Sequence, residues 1–322
     1  MNKYFKLFAC CILVKGFTRS LICDIQRGIY HFIPNDLFDI LNDNKDEEIE
    51  DISELYGLDN KMIIYDYFKF MVDNEYGFLV NNKDELDNFP PLDTTFNNPF
   101  IITNIIIDVN KNINFHFTNL VEQLEMLGCV DIQIRFFREV DIEYIKNIFD
   151  IIENKRIKSL NIIVKYDQEV FLDEYVNLSR KYLRISNITI HSSPFNKRID
   201  NGLNNNTFID YTMQMVTDSS HCGIIHQNNF ILNIPTFTES QHHNTCLNRK
   251  ISIDVNGEIK NCPSMTKSYG NIKDTTLAEA LAKEGFKDMW HIKKDQIKVC
   301  QDCEFRHICT DCRAHLGSRK SN

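Results

Sequence analysis

Three features that often guide a first interpretation are missing from this 322-residue sequence. No apolar run approaches the roughly 20 residues that a membrane-spanning helix needs, so no membrane association is expected. There is no glycine-rich phosphate-binding loop. Basic residues form no stripe, and the net charge is −9. Because nucleic-acid binding depends on lysine and arginine contacts to phosphates, we expect no nucleic-acid partner.

The sequence also lacks a complete export signal. Two early lysines and the apolar run at 7–14 are reminiscent of one, but the run continues into Gly16 and a strand-like segment without a cleavage region. The total of eleven cysteines is odd, and their Cys-x2-Cys spacing fits metal ligation in a reducing compartment better than disulfides. We therefore predict a cytoplasmic protein, with a disulfide-stapled secreted protein as the alternative.

The first 82 residues combine strand patterns with helical patterns. Strands are predicted at 5–15, 17–25, 29–33 and 78–80, and helices near 37–41, 52–55 and 62–73. This order is winged-helix-like and resembles the PqqD-like recognition domains of peptide-modifying enzymes. The resemblance implies that a leader peptide adds as an extra strand at a sheet edge. A helical cap that only covers a larger domain is the alternative.

After a polar, proline-containing stretch at 83–98, which we predict to be a linker, strand and helix patterns alternate. Strands are predicted at 101–107, 130–136, 160–164, 188–190, 208–216 and 230–234, and helices at 117–127, 140–152 and 170–183. Such alternation predicts an α/β fold with a parallel sheet, either doubly wound or a partial β/α barrel. Asp108 and Glu139 follow strands and are candidate acids or bases, although strand-end carboxylates usually cap or face solvent.

The residues after 240 carry most of the chemical information. Asn256 and Gly257 predict a β-hairpin with a type I′ turn. Cys246 precedes the first strand of this hairpin and Cys262 follows the second, so the turn should bring the two thiols together. Thr276 to Lys283 is predicted to form a capped helix.

Four further cysteines are closely spaced as Cys-x2-Cys-x5-Cys-x2-Cys, at Cys300, Cys303, Cys309 and Cys312. Cysteines that act only as small apolar residues have no reason to recur at turn spacing. Short turns deliver several thiolates to one ion or cluster. Zinc ribbons usually separate their two pairs by a longer insert, so the spacing favours iron–sulfur ligation, with zinc as the alternative.

Together with Gly257 and the Gly270-Asn271-Ile272 segment, these cysteines resemble a SPASM domain over about residues 240–316. SPASM domains are cluster-bearing extensions of many radical-SAM peptide maturases. The resemblance implies one or two auxiliary [4Fe–4S] clusters, the first held by Cys246, Cys262 and Cys312 and the second by Cys300, Cys303 and Cys309.

The pattern departs from the SPASM family at two points. The last spacing is x2 rather than x3, and no cysteine follows Cys312 in the sequence, so each cluster is one thiolate short. Cys222 is a candidate ligand for the first cluster, and His315 or a substrate group for the second. A single occupied site is the alternative.

A larger departure concerns the sheet domain. Radical-SAM enzymes carry Cys-x3-Cys-x2-Cys after the first barrel strand, where three thiolates leave one iron free to chelate S-adenosylmethionine. The corresponding loop, 110–116, has no cysteine, and Phe136-Phe137-Arg138-Glu139 stands where that family has a Gly-Gly-Glu-Pro-like turn. The domain thus resembles a radical-SAM barrel without its catalytic cluster, which speaks against S-adenosylmethionine as a cofactor.

Over its whole length the chain resembles the grasp-with-spasm peptide maturases, in which a SPASM protein is paired with an ATP-grasp ligase. The resemblance implies that the chain binds a ribosomally synthesised precursor peptide and acts with such a ligase. The alternative is a non-catalytic adaptor that presents a peptide, with zinc or a structural iron–sulfur cluster. No catalytic residue is identified, and enzymatic activity is left open.

The predicted organisation has four parts. They are a winged-helix-like leader-recognition unit at 1–82, a linker at 83–98, a degenerate radical-SAM-like β/α domain at 99–239 and a SPASM domain at 240–322.

Overall fold

The computed structural model describes residues 3–110, 112–200, 207–221 and 230–311. The chain forms two compact units. Unit 1 combines Met1–Phe96, Ile225–Thr245 and Ile292–Asp311, and unit 2 combines Asn97–Ile224, Cys246–His291 and Cys312–Asn322. The units group residues by contact and do not test the predicted domain bounds, which stay predictions.

Within the described residues the chain forms thirteen strands and eight α-helices. The strands are β1 Tyr4–Leu7, β2 Cys11–Val14, β3 Ser20–Asp24, β4 Ile29–Ile33, β5 Gly77–Val80, β6 Asn104–Val109, β7 Asp131–Phe136, β8 Ser159–Lys165, β9 Ile185–His191, β10 Lys197–Asp200, β11 Phe208–Tyr211, β12 Lys250–Ile253 and β13 Ile259–Lys260. The helices are α1 Asn35–Asp43, α2 Ile49–Leu55, α3 Lys61–Asp73, α4 Phe117–Leu127, α5 Ile142–Glu153, α6 Leu172–Lys181, α7 Ile234–Ser240 and α8 Leu277–Ala282.

Unit 1 contains two small antiparallel sheets, β2-β3-β4 and β1-β5, together with helices α1 to α3. The strand predicted at 5–15 is in fact two strands, because the chain turns where the Cys11 amide donates to the Phe8 carbonyl. After this turn β2 pairs with β3, whereas β1 pairs with β5. The apolar stripe of α3, which includes Ile64, Phe68 and Met71, packs into the first core of this unit.

A second core in unit 1 joins strands near the N-terminus to segments far along the chain. Leu21 and Cys23 of β3 pack with Phe237 of α7 and with Ile308. The strand predicted at 230–234 is wrong, because only an isolated bridge from Phe230 to Cys309 is present and helix α7 begins at Ile234. The side chain of Asn233 caps the helix by accepting from the Thr236 amide, and a proline occupies its first turn, where proline is favoured.

Unit 2 is built on one eight-stranded sheet with the order β10-β11-β9-β8-β7-β6-β12-β13. The six central strands are parallel, and an antiparallel strand lies at each end. This confirms the mixed α/β prediction with a mostly parallel sheet. From β6 to β9 the strands follow one another in sequence order without a reversal. That order is typical of a singly wound, barrel-like sheet rather than a doubly wound one.

Alternation along the central strands separates an apolar face from a polar one. The apolar face packs with α4, α5 and α6 in the largest core; its members in β6 and β7 are Ile105, Ile107, Val109, Ile132, Ile134 and Phe136. The opposite face carries polar pairs, among them Gln133 with Asn161 and Asp108 with Arg135. No helix in the described part of the chain is long and apolar enough to cross a membrane.

The predicted hairpin is present as β12 and β13, and β12 also pairs in parallel with β6. Its turn differs from the predicted type I′, because Gly257 has a positive φ of 85° whereas Asn256 does not. The Gly257 amide donates to the Asp254 carbonyl, and Asp254 Oδ1 accepts from the amides of Asn256 and Glu258. The Asp254 side chain therefore closes a longer loop in which only glycine needs the left-handed conformation.

Candidate metal centre

The hairpin cysteines lie together in unit 2. Cys262 is buried beside Leu247, and Cys246, Met265 and Met289 pack against them. Cys246 ends a loop that turns into β12, since the Lys250 amide donates to the Leu247 carbonyl at 3.3 Å. The hairpin thus delivers both thiols to one small, mostly apolar cluster.

Polar contacts to these two sulfurs are also present. Lys250 Nζ lies 3.4 Å from Cys246 Sγ, and the Cys262 thiol contacts Ser264 Oγ at 3.8 Å. An ammonium group beside a cysteine sulfur favours its thiolate form, which is the form that binds metals. Lys250 was missed from the sequence; its position four residues after Cys246 is the signal that could have found it.

The second group of cysteines lies in unit 1 on a series of tight turns. The Cys300 amide donates to the Ile297 carbonyl, the Cys303 amide to the Cys300 carbonyl and the Cys309 amide to the Phe305 carbonyl, all within 3.0 Å. Burial raises the pKa of the Cys303 thiol, and a hydrogen bond from the backbone N–H of Phe305 opposes that rise. Backbone N–H groups directed at sulfur are a feature of iron–sulfur sites.

These turns are anchored on the loop between β2 and β3. Arg306 donates to the carbonyls of Lys15 and Cys303 and to Asp295 Oδ1. The Phe17 amide donates to the Asp302 carbonyl at 2.9 Å. The cysteine run is therefore held to this loop by the Arg306 side chain and by a main-chain hydrogen bond.

One buried charge in this segment has no partner among the described residues. Lys294 is only 6% exposed, and its Nζ makes no hydrogen bond within that part of the chain. Burying an unpaired ammonium is costly. Lys294 belongs to the same unit as Cys300, Cys303 and Cys309. No sequence signal marked Lys294.

The spacing of the sulfurs bears on the zinc alternative. A tetrahedral zinc ion holds its ligand atoms about 3.5–3.8 Å apart. Among the described residues, only Cys10, Cys11 and Asp24 form a group of three ligand atoms within 4.8 Å of one another. The sulfurs of Cys300, Cys303 and Cys309 do not all lie within 4.8 Å of one another.

The structure distributes the predicted ligands between the two units. Cys246 and Cys262 belong to unit 2, and Cys300, Cys303 and Cys309 belong to unit 1. The grouping of these cysteines as cluster ligands stays a prediction. Cys312, Cys222 and His315 lie outside the described residues.

The polar face of the sheet in unit 2 contains a closed ion pair. Arg135 Nε and NH2 donate to the two oxygens of Asp108 at 2.6 and 2.8 Å, and both side chains are at most 4% exposed. Burial raises the pKa of the Asp108 carboxyl, and the Arg135 guanidinium opposes this effect. Asp108 and Arg135 thus neutralise each other in a buried ion pair near the ends of β6 and β7.

The other strand-end candidate has no site around it in the described part of the chain. Glu139 is exposed and pairs with Lys165 at 2.7 Å, as a solvated carboxylate does. With no cysteine in the loop after β6, the described residues of this sheet do not fit the three-thiolate cluster that chelates S-adenosylmethionine.

The C-terminal sequence matches a known family. Residues 245–304 match the model of SPASM, an iron–sulfur cluster-binding domain. The chain therefore carries a SPASM domain, as predicted, and the matched segment includes four of the predicted ligands: Cys246, Cys262, Cys300 and Cys303. No curated protein matches the whole sequence significantly.

Among solved structures, the chain is similar to Streptococcus suis SuiB. For SuiB bound to S-adenosylmethionine the identity is 10%, the coverage 98% of this chain and 97% of that chain, and the TM-score 0.39. For SuiB bound to precursor peptide SuiA the identity is 11%, the coverage 100% of this chain and 98% of that chain, and the TM-score 0.39. Scores this low do not establish a common fold, and no property of SuiB is transferred on them.

Proposed function

We propose that this protein takes part in the maturation of a ribosomally synthesised peptide, binding the precursor and acting with an ATP-grasp ligase. The observation that carries the proposal is the SPASM domain at 245–304, together with cysteines held at turn spacing. Peptide maturation is the role implied by the resemblance of this domain order to the grasp-with-spasm maturases.

The cysteines would hold auxiliary [4Fe–4S] clusters, Cys246, Cys262 and Cys312 binding one and Cys300, Cys303 and Cys309 the other. Cys222 and His315 are the candidates for the missing ligands. Such clusters, when bound, supply electron transfer or an open iron position for a substrate group. The ammonium group of Lys250, which lies 3.4 Å from Cys246 Sγ, supports this assignment because it would offset the negative charge of a thiolate-bound cluster.

Iron analysis tests the cluster assignment. After anaerobic reconstitution we expect iron and sulfide in equal amounts and the spectroscopic signature of [4Fe–4S] clusters. Cys303→Ala should lose about half of the iron if two clusters form, whereas Cys129→Ala, which removes a buried cysteine outside both groups, should lose none. Protein that binds neither iron nor sulfide under these conditions would contradict the proposal.

The precursor peptide would bind unit 1 at the edge of β2 that faces away from β3. Residues of β2 line a cavity of about 530 Å³ that is also bordered by Leu7, Phe8 and Phe89. An extended peptide can pair with an exposed strand edge while its apolar side chains enter such a cavity. This is the form of recognition that the PqqD-like resemblance implies.

Binding of a labelled leader peptide tests this location. Phe89→Asp should weaken binding at least tenfold because it introduces a charge into the apolar lining. Phe17→Asp is the matched control, since Phe17 is 82% exposed in the same unit and does not line the cavity. Equal affinity for both variants would exclude this cavity as the peptide site.

The ligase partnership is tested by reconstitution. ATP-grasp ligases use ATP to activate a carboxylate for ester or amide formation, so the cross-linked precursor should lose one water per bond. We expect this mass change to require the precursor, the ligase, ATP and this protein together. Cross-linking at the same rate without this protein would remove it from the reaction.

The second candidate is a non-catalytic adaptor, which the sheet of unit 2 favours. The loop at 110–116 has no cysteine, and the Asp108–Arg135 ion pair leaves neither charge available for acid–base work. If zinc-loaded protein supports the ligase as well as the iron–sulfur form does, the adaptor role is correct. Conversion of the precursor without ligase would rule it out.

A further inference from the structure

The turn before β2 contains two cysteines that the proposed clusters do not use. The sulfurs of Cys10 and Cys11 and a carboxylate oxygen of Asp24 all lie within 4.8 Å of one another. Cys11 is buried, whereas Cys10 is half-buried. The Cys11 thiol donates to Asp24 Oδ2 at 3.7 Å. Three side chains that can each supply one metal ligand therefore converge at one point of unit 1.

Neighbouring residues in a strand point to opposite faces, so adjacent cysteines do not normally converge. Here Cys10 lies in the turn that the hydrogen bond from the Cys11 amide to the Phe8 carbonyl closes. Cys11 is paired with Asp24 in the β2–β3 ladder, and the Cys10 carbonyl accepts from the Ile25 amide at 3.0 Å. The backbone thus places the three residues next to one another, and a small adjustment of their side chains would bring the ligand atoms to metal-binding distance.

The Asp24 carboxylate is already oriented. Oδ1 accepts from the amides of Gln26 and Arg27 at 3.0 and 2.8 Å, and Oδ2 accepts from Arg27 Nε at 2.5 Å. These bonds close the turn after β3, but the turn does not require the two sulfurs that lie within 4.8 Å of the carboxylate. Carboxylates that ligate metals are held in this way by outer hydrogen bonds.

One distance and the charges of the three groups fit one class of ion. With bonds of about 2.3 Å to sulfur and 2.0 Å to oxygen, a tetrahedral zinc ion places a sulfur and an oxygen ligand about 3.5 Å apart, close to the 3.7 Å between Cys11 Sγ and Asp24 Oδ2. Two thiolates and a carboxylate around a divalent cation leave one negative charge, which the guanidinium of Arg27 balances. Mixed sulfur and oxygen ligands suit zinc better than magnesium or calcium.

We propose that Cys10, Cys11 and Asp24 bind one zinc ion, with the fourth position open to water. Binding exchanges the two thiol protons, released to solvent, for two Zn–S bonds. Of the three ligands, Cys11 also lines the cavity of about 530 Å³. The site is independent of the iron–sulfur clusters proposed above.

Titration of the full-length, metal-free protein with Zn²⁺ and with Co²⁺ as a spectroscopic substitute tests the site. Wild type should bind one more equivalent of Zn²⁺ than Cys10→Ser or Asp24→Asn does. If the variants still bind this equivalent, their affinity for it should be at least a hundredfold lower. The Co²⁺ form of wild type should show more thiolate-to-metal charge-transfer absorption than either variant, the difference corresponding to one bound ion. Cys129→Ala should leave stoichiometry and spectrum unchanged.

The variants are chosen so that misfolding does not obscure the result. Cys10 is only half-buried, and asparagine at position 24 can accept the same backbone amides that close the turn. Equal stoichiometry, affinity and Co²⁺ spectrum in wild type and both variants would overturn the proposal. If Cys303→Ala loses iron but still binds this equivalent of zinc, the zinc site is independent of the iron–sulfur clusters.

Discussion

Lys250 is a candidate for stabilising a bound cluster, and a substitution can remove its charge while keeping its apolar stem. Its Nζ lies 3.4 Å from Cys246 Sγ, next to a predicted cluster ligand. Groups that contact metal ligands typically change metal affinity by about tenfold to a hundredfold when they are removed. Lys250→Met keeps the apolar stem but removes the charge, so we expect faster loss of iron to a chelator by about that factor.

The matched control for this experiment is Lys267→Met, which removes a lysine that lies over the Tyr269 ring in the same unit. Iron retention should be unchanged in that variant. If Lys250→Met and Lys267→Met release iron at the same rate, Lys250 has no part in holding the cluster.

His191 is a buried histidine whose contacts require the neutral ring. Nε2 donates to the Phe136 carbonyl at 3.0 Å, while Nδ1 accepts from Ser192 Oγ at 3.0 Å and from the Val216 amide at 3.4 Å. Burial lowers the pKa of His191 below its ordinary value of 6.5. Protonation of Nδ1 would turn an acceptor into a donor and break both contacts.

This pKa shift predicts a loss of stability in acid. The unfolded chain takes up the His191 proton below pH 6.5 and the native protein only at lower pH. The free energy of unfolding should therefore fall as pH decreases from 6.5, by up to about 1.4 kcal/mol per pH unit. His191→Gln should be less stable at pH 7 by about 1–3 kcal/mol but should lose less below pH 6.5. Parallel slopes in urea unfolding between pH 7 and 5 would contradict this.

At the scale of elements, the β12–β13 hairpin depends on one glycine. Gly257 has a φ of 85°, and a Cβ there would lie 3.0 Å from Asn271 Oδ1. Asn271 Nδ2 in turn donates to the Asn256 carbonyl and to Glu258. Gly257→Ala should therefore lower the free energy of unfolding by roughly 1–2 kcal/mol, because alanine is strained in the left-handed conformation. The new Cβ should also displace the Asn271 contacts.

Gly57→Ala isolates the first of these costs. Gly57 has a φ of 89°, and a Cβ at this position would meet no described atom within 4 Å, so only the backbone penalty applies. We expect Gly257→Ala to be the more destabilising variant in thermal unfolding by about 1 kcal/mol. Equal losses would mean that Asn271 adjusts without cost.

Elements whose signal is local were predictable from the sequence. The periodic helix at 117–127 was predicted with the bounds that α4 has, and the capping box formed by Thr276 and Glu279 marks the start of α8. The division of 5–15 into β1 and β2 was not predicted, because both halves are apolar and only their different partner strands separate them. The type I′ turn was wrong because the Asp254 side chain, rather than the Asn256–Gly257 pair alone, organises the loop.

The sequence predicted which residues could bind a metal, but not how the fold arranges them in space. Spacing identified the six cysteines of the SPASM domain, and the family match includes four of them. Their distribution between two units, and the convergence of Cys10, Cys11 and Asp24, depend on strand pairing that no spacing rule contains. Lys294 illustrates the same limit, since its burial is a tertiary property of an otherwise ordinary lysine.

At the scale of the whole molecule, unit 1 depends on residues near both ends of the described chain. Ile308 is 1% exposed and packs in one core with Leu21 and Cys23 of β3. Ile308→Ala should cost about 2–5 kcal/mol through the cavity it leaves. In hydrogen-exchange mass spectrometry, peptides covering β2 and β3 should lose protection, although the substituted residue lies far away in the sequence.

Leu277→Ala is the matched control because Leu277 is equally buried but belongs to the core of unit 2. Its loss should raise exchange in the sheet of unit 2 and leave β3 protected. Unchanged protection of β3 in Ile308→Ala would mean that the core of unit 1 forms without the C-terminal segment.

The packing of Ile308 against β3 has a consequence for biosynthesis. Domains generally acquire their structure from the N-terminus onward as the ribosome delivers the chain. Here the core around Leu21 stays incomplete until residue 308 has emerged, and the sheet of unit 2 waits for β12 at 250–253 to join β6. The nascent chain therefore exposes apolar strands for most of its synthesis, so its yield in cells should depend on chaperones that protect unfinished chains.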